Sequence, residues 1–358
     1  MKSLLLSTSC LWNCGDDFIR EGVLNLLQLK QDIRILFWNR AFGVSKTFAN
    51  DLKVNMSQMD YFVLAGTPQW AVNHKPVYKY CMKKGIPFSL IGVGTAHINK
   101  LDYNFMKKVA QSNLCEIALA RDRMAEALLR ELGFTHIQLM LDPAFFMPPL
   151  PGSNKYYILG WRELFQHHGF YLFRKHPYNL YRFAKGCYYS YIKSKHGNTI
   201  DRYNELMVKI FSRFPTPKLV VVHDNMEIEL ASELFPDEHI YYSTDYQDIR
   251  RLYAQAKLYV GSRIHGSLPS LIHGAPVQLI YATTKAQVVE VSKDILSKYF
   301  ENDMPFMQVK YINKDKISIE DFSDAADFKS RLHDGIQQEK ARIRQLLKNQ
   351  KSIAEFMQ

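Results

Sequence analysis

Arg263 and His265 stand one residue apart in the run Gly261-Ser262-Arg263-Ile264-His265-Gly266, and Lys285 follows beyond the next apolar run. A guanidinium presents a rigid fork of donors to carboxylate or phosphate, an imidazole moves protons near neutral pH, and an ammonium adds a mobile charge. Such a set can hold and process a small phosphorylated acid. Two other stretches carry matching groups, Gly160-Trp161-Arg162 and His223-Asp224-Asn225. In the first half, Asn13-Cys14-Gly15-Asp16-Asp17 and Ala120-Arg121-Asp122 offer groups suited either to sugar hydroxyls or to helix capping. His167 and His168 share no spacing with a carboxylate or cysteine, and His273 near a helix end reads as a surface or capping histidine, so no metal site is expected.

These residues need a scaffold that brings loop positions together. Around Arg263 the pattern is a short buried strand at Leu258 to Val260, a turn, a helix of about ten residues ended by Gly274, and a second apolar strand at Val277 to Tyr281. In an open parallel sheet, the loops leaving the strands' carboxyl ends and the helix amino ends beside them are the usual place for an anionic ligand. The same alternation covers the first half. Strands are expected at Leu4 to Thr8, Ile33 to Trp38, Tyr61 to Ala65, Phe88 to Val93, Cys115 to Ala120 and Ile137 to Met140. Helices are expected at Asp17 to Leu29, His74 to Lys84, Tyr103 to Gln111 and Asp122 to Leu132. Leu141-Asp142-Pro143-Ala144 and the prolines at 148, 149 and 151 then read as a linker.

After it come strands at Tyr156 to Leu159, Leu219 to Val222 and His239 to Tyr242, followed by the two around Arg263. Helices are expected at Tyr203 to Phe214, at Asp245 to Ala256 with Thr244 as N-cap, and at His265 to His273. The fold class is therefore α/β, with two Rossmann-like domains facing across a cleft. The expected boundaries are 1–150 for the first domain, 151–315 for the second, and 316–358 for C-terminal helices bracing the domains.

With 358 residues, 47% of them hydrophobic and 23% charged, the chain can bury two ordinary cores. A formal net charge of +11 points to anionic partners. No acidic residue lies between Glu163 and Asp201, where basic residues such as Arg174, Lys175 and Arg182 alternate with aromatics. This insertion, 164–200, suits a peripheral membrane contact or packing on the core. No nucleic-acid motif accompanies it. Five scattered cysteines without CxxC spacing suggest neither a disulfide framework nor a zinc site. The run Leu4-Leu5-Leu6 is too short for a secretory signal, and no stretch is apolar enough to span a bilayer, so a cytoplasmic protein is expected, with the inner membrane face as its peripheral station.

The run from Gly261 to Gly266, Gly274-Ala275-Pro276-Val277 and Lys285 together resemble the polysaccharide pyruvyl transferases. The loop at Asn13 to Asp17, Ala120-Arg121-Asp122 with Leu132-Gly133, Leu141-Asp142-Pro143-Ala144 and Trp161-Arg162 extend the resemblance over nearly the whole chain. It implies a GT-B-like pair of domains and transfer of pyruvate from phosphoenolpyruvate to two hydroxyls of a sugar, closing a cyclic ketal and releasing phosphate. The acceptor would be a glycan or lipid-linked glycan precursor of a surface polysaccharide such as a capsule or lipopolysaccharide. No cofactor is required beyond the co-substrate. The chain departs from many members at Ala65-Gly66-Thr67-Pro68, where a longer glycine run is common, and the segment 164–200 matches no family motif.

Physical reading and resemblance lead to the same assignment. Arg162, Ser262, Arg263, His265 and Lys285 would bind the donor, and His265, with His223 second, would act as general acid and base. Asn13, Asp16 and Arg121 would meet the acceptor. Two rival readings remain: a GT-B glycosyltransferase using a nucleotide sugar, with Glu227 or Glu229 on its ribose, and a non-catalytic carbohydrate- or lipid-binding member of the family.

Overall fold

Strands whose residues are apolar without alternation are stable only where both faces of a sheet are covered, as in parallel sheets with helices on each side. The computed structural model, which describes residues 1–8, 14–39, 53–68, 70–95, 98–162, 164, 199–224, 227–281, 287–300, 306–311 and 325–358, contains two such sheets. Each has six strands, and all the pairings between them are parallel. The chain therefore has the expected α/β class, a pair of Rossmann-like units.

The first sheet is formed by β1 (Ser3–Thr8), β2 (Arg34–Asn39), β3 (Tyr61–Ala65), β4 (Phe88–Val93), β5 (Cys115–Ala120) and β6 (Ile137–Leu139), in the order β2-β1-β3-β4-β5-β6. Its core includes Leu5, Phe62, Leu64, Phe88 and Leu90, all fully buried; each contributes about 1.5–3 kcal/mol relative to an exposed side chain. The helices α1 (Cys14–Leu27), α2 (Lys75–Lys84), α3 (Lys100–Gln111) and α4 (Arg123–Leu132) connect these strands. Local chemistry sets their ends. The Asn99 side chain accepts from the Leu101 and Asp102 amides at 2.9 Å, which starts α3. Gly133, at φ 91°, ends α4 in the left-handed region that a Cβ would strain.

The second sheet runs β9-β8-β7-β10-β11-β12, with β7 at Tyr156–Gly160, β8 at Lys218–Val221, β9 at Ile240–Tyr241, β10 at Ala256–Gly261, β11 at Val277–Tyr281 and β12 at Met307–Tyr311. Its helices are α5 (199–212), α6 (Glu227–Leu234), α7 (Tyr246–Tyr253) and α8 (Ile264–Ile272). The N-cap of α7 is Asp245, whose carboxylate accepts from the Gln247 amide at 2.9 Å, rather than Thr244. Leu159, Trp161, Tyr203, Val220 and Val260 lie in the core of this unit.

The first compact unit comprises Met1–Pro149, Gln287–Asp303 and Ser330–Gln358; the second comprises Leu150–Ala286 and Met304–Lys329. Helix α9 (Gln287–Leu296) therefore belongs to the first unit, although it follows β11 of the second. Helix α10 (Ala325–Lys348) runs into the first unit, where Arg342 donates to the Leu139 carbonyl at 2.8 Å. The expected linker at Leu141 to Ala144 is instead a buried piece of that unit. Pro143–Phe146 forms a 3₁₀ turn capped by Asp142, and a Cβ on Gly22 would lie 1.8 Å from the Pro143 carbonyl oxygen. Among the described residues no helix is long and apolar enough to cross a membrane. Nearly all of the basic aromatic insertion 164–200, together with Asn13 and Lys285, lies outside the described residues.

Candidate active site

In the second sheet the strand order reverses between β7 and β10, the neighbours from which the chain winds in opposite directions. Ligands of open parallel sheets sit at the carboxyl ends beside such a reversal. The register makes this place chemically specific. Gly160 of β7 is the partner of both Val221 of β8 and Gly261 of β10, so these three residues form one row across the sheet. Two residues beyond each of them stand Arg162, His223 and Arg263. Three strands thus deliver their charged or titratable side chains at the same level, though the stretches are far apart in sequence.

Close packing fixes the row. A Cβ on Gly261 would lie 2.3 Å from the Gly160 carbonyl oxygen, so the two strand ends approach as only glycine permits. A Cβ on Gly266 would meet the Tyr259 hydroxyl at 2.4 Å. That hydroxyl donates to the Arg263 carbonyl at 3.1 Å, tying the strand to the start of α8. Arg263 is the N-cap residue of α8, and His265 lies in the helix's first turn. Ser262 is buried, and its Oγ shares a 2.7 Å hydrogen bond with the Tyr203 hydroxyl.

Arg263 is held from two sides. Its Nε donates to the Trp161 carbonyl at 3.3 Å, and its Nη2 donates to Oε2 of Glu227 in an ion pair largely removed from solvent. Arg162 lies close enough to feel Arg263, Glu227 and Tyr203; burial first, and then the Arg263 charge, lower its guanidinium below the ordinary value. His223 is 5% exposed, and its Nε2 is 2.6 Å from the Tyr253 hydroxyl. Burial, aided by the positive charges around Arg263, His265 and Arg162, depresses it well below the usual histidine range, so it is neutral at neutral pH. Two guanidiniums and two imidazoles thus share a neighbourhood with one described carboxylate among these interactions, an arrangement that favours an anionic ligand.

The first unit places its expected residues differently. Asp16 is buried in the first turn of α1. Beside it Asp17 pairs with Arg20 at 2.7 Å, and burial raises its carboxyl to about 6. Arg121 is 8% exposed and donates to Asp142 at 2.6 Å, while Asp122 accepts from the Ala125 amide at 2.7 Å and from both the amide and the hydroxyl of Thr95. Of the two sequence readings at Ala120-Arg121-Asp122, capping is therefore realised by Asp122. Among the described residues no group of three His, Cys, Asp or Glu side chains is arranged to hold a metal. Cys14, Cys81 and Cys115 are buried thiols.

The profile of the polysaccharide pyruvyl transferase family matches residues 13–281, three quarters of the chain and the whole of the site row. The chain belongs to that family. Membership in the polysaccharide pyruvyl transferases assigns it a transferase activity, with a pyruvyl group as cargo and a glycan as acceptor. A search of curated proteins finds no match. Among solved structures, a UDP-N-acetylglucosamine 2-epimerase is 11% identical, with 96% of this chain and 91% of that one covered at a TM-score of 0.50. The Neisseria meningitidis UDP-GlcNAc 2-epimerase bound to UDP-GlcNAc is 10% identical, with 98% and 95% covered at a TM-score of 0.46. MnaA of S. aureus, in a structure with UDP, is 8% identical, with 99% and 92% covered at 0.48. At 11% identity and a TM-score of 0.50, the first of these likenesses shows the GT-B-like fold alone.

The row is also held by residues that carry no motif in the sequence. Tyr253 and Tyr203 hold His223 and Ser262, and both sit in helices with only ordinary amphipathic spacing as a signal. Glu227, which the sequence places on a ribose in a rival reading, is instead engaged by Arg263. His273, expected as a surface or capping histidine, is the C-cap residue of α8 and is 3% exposed, so it caps the helix from a buried position. Leu150 N donates to its Nε2 at 2.8 Å, so Nδ1 carries the proton and donates to the Pro269 carbonyl at 2.5 Å.

Proposed function

We propose that the row at the ends of β7, β8 and β10 is the phosphoenolpyruvate site, and that the protein transfers pyruvate to two hydroxyls of a glycan sugar as a cyclic ketal. The observation that carries this reading is the register row, which sets Arg162 and Arg263 side by side with His223 and next to His265. Phosphoenolpyruvate bears a carboxylate and a phosphate. Arg263 and Arg162, aided by Ser262, Lys285 and the amino end of α8, are assigned to those two anions.

Protonation of C3 of the enol places positive charge on C2, and a sugar hydroxyl adds there and gives up its proton. The C2–O bond to phosphate then breaks, and a second hydroxyl adds to C2 and loses its proton, closing the ring. One proton enters at C3 and two leave the hydroxyls, which balances the release of phosphate. His265 is assigned to these transfers. His223, kept neutral by burial and neighbouring charges, serves as a hydrogen-bonding group. General acid–base catalysis of this kind contributes roughly 10²–10⁴-fold. Holding both anions also orients C2, the positional share of the acceleration.

The test is phosphate release from phosphoenolpyruvate across a panel of acceptor glycans, with thermal shift by phosphoenolpyruvate and by nucleotide sugars run in parallel. Release with wild type, and its loss in a folded His265→Ala variant, support the reading. Stabilisation by a nucleotide sugar alone would replace it with glycosyl transfer, and binding without release would leave a non-catalytic protein.

A further inference from the structure

Glu227 has no part in the proton transfers above, yet its carboxylate pairs with Arg263 and its charge reaches Arg162. It is 5% exposed at the start of α6, a segment separate from both arginine-bearing loops. Its Oε2 accepts from Arg263 Nη2, and its charge also reaches Arg162, where it opposes the lowering produced by burial and by Arg263. One carboxylate is therefore a counter-ion to two guanidiniums that repel each other. The geometry adds a second consequence. A guanidinium is planar, so anchoring Nε on the Trp161 carbonyl and Nη2 on Glu227 fixes the orientation of the whole plane.

We infer that Glu227 is a positioning residue of the anion site: it fixes the plane in which Arg263 meets the donor and lets Arg162 and Arg263 stand together while the site is empty. The inference rests on the donor-site reading for the identity of the ligand, and on the ion pair for the role itself. A carboxylate so close to an anion site would by charge alone weaken anion binding. Its presence is therefore explained by orientation rather than by attraction, and the two contributions can be separated by substitution. Glu227→Gln keeps an acceptor for Arg263 and removes the charge. Glu227→Asp keeps the charge and withdraws the acceptor by one methylene. Glu227→Ala removes both.

The experiment measures the KM for phosphoenolpyruvate and kcat for phosphate release in the three variants, with phosphoenolpyruvate and inorganic phosphate affinities by calorimetry. Loss of a charge-assisted hydrogen bond that orients the group should raise the donor KM of Glu227→Ala by about 10-fold or more, with a smaller fall in kcat. Glu227→Gln should rescue the KM to within about twofold, and Glu227→Asp should fall between them. A folded Glu227→Ala with wild-type KM, or a Glu227→Asp indistinguishable from wild type, overturns the inference. A ligand-free readout accompanies these. In ¹⁵N-arginine-labelled protein the Arg263 guanidinium should be restrained in wild type and Glu227→Gln but rotationally averaged in Glu227→Asp; equal restraint in all three also overturns it. Wild type that binds neither phosphoenolpyruvate nor phosphate would defeat the donor assignment and leave the guanidinium comparison to decide the role of Glu227.

Discussion

Acidification should weaken the second unit through His273, and the loss can be worked from the bonds that fix its ring. The neutral imidazole accepts from Leu150 N at 2.8 Å and donates to the Pro269 carbonyl at 2.5 Å. A proton on Nε2 would face the Leu150 amide donor inside a buried site. Burial first, with the charges of Arg250 and Lys329 adding to it, lowers this histidine from 6.5 to about 4. The folded state therefore binds the proton less readily than the unfolded chain. Stability is unaffected above the unfolded value, declines as pH falls below about 6.5, and stops declining below about 4. A shift of about 2.5 units at 1.36 kcal/mol each corresponds to roughly 3 kcal/mol in full, of which about 2 kcal/mol is lost between pH 7 and pH 5.

Other groups titrate in the same range, His223 among them, so the measurement must be a difference. Glu, Asp and His223 contributions are common to wild type and a His273→Gln variant. The variant should be less stable at pH 7, by about 1–2 kcal/mol, because one glutamine amide does not reproduce the ring's simultaneous bonds to the Leu150 amide and the Pro269 carbonyl. Its stability should then fall less steeply than wild type between pH 7 and pH 5, by about 2 kcal/mol. Native-state hydrogen exchange of peptides from β10 and α8, followed against urea at both pH values, reports on this unit specifically. Parallel declines in the two proteins would refute the assignment of a depressed, tautomer-locked histidine at this position.

Three further outcomes are expected. Gly266→Ala forces its Cβ against the Tyr259 hydroxyl, so Tyr259 must leave the Arg263 carbonyl; a loss of about 1–3 kcal/mol in thermal unfolding and weaker phosphoenolpyruvate binding by calorimetry should appear together. Asp122→Ala removes the acceptor for the Ala125 amide and for Thr95, and should destabilise the first unit by about 1–2 kcal/mol in urea, with Asp122→Asn recovering much of it. Tyr253→Phe takes away the partner of His223 Nε2; the protein should lose about 1–2 kcal/mol yet keep phosphate release within tenfold, and a loss as deep as that of His265→Ala would move the proton transfer to His223.

Repeated apolar runs separated by helical spacing were sufficient to determine most of the scaffold. Tyr61–Ala65, Phe88–Val93, Cys115–Ala120 and Val277–Tyr281 lie where the pattern of the chain puts them, because strands buried on both faces must be apolar throughout. The edge strand Met307–Tyr311 escaped that signal, since Gln308 and Lys310 interrupt its apolar run. The return of Gln287–Asp303 to the first unit has no local signature either. Local sequence likewise marked Arg162, His223, Arg263 and His265 as groups able to act on an anion. Tertiary structure decided what joins them. The pairing of Gly160 with Val221 and Gly261 aligns stretches about sixty and one hundred residues apart, and strand register is a property of the assembled sheet. The same assembly chose Glu227 as the partner of Arg263 and buried His273, because hydrogen-bond partners and desolvation depend on which side chains meet in space.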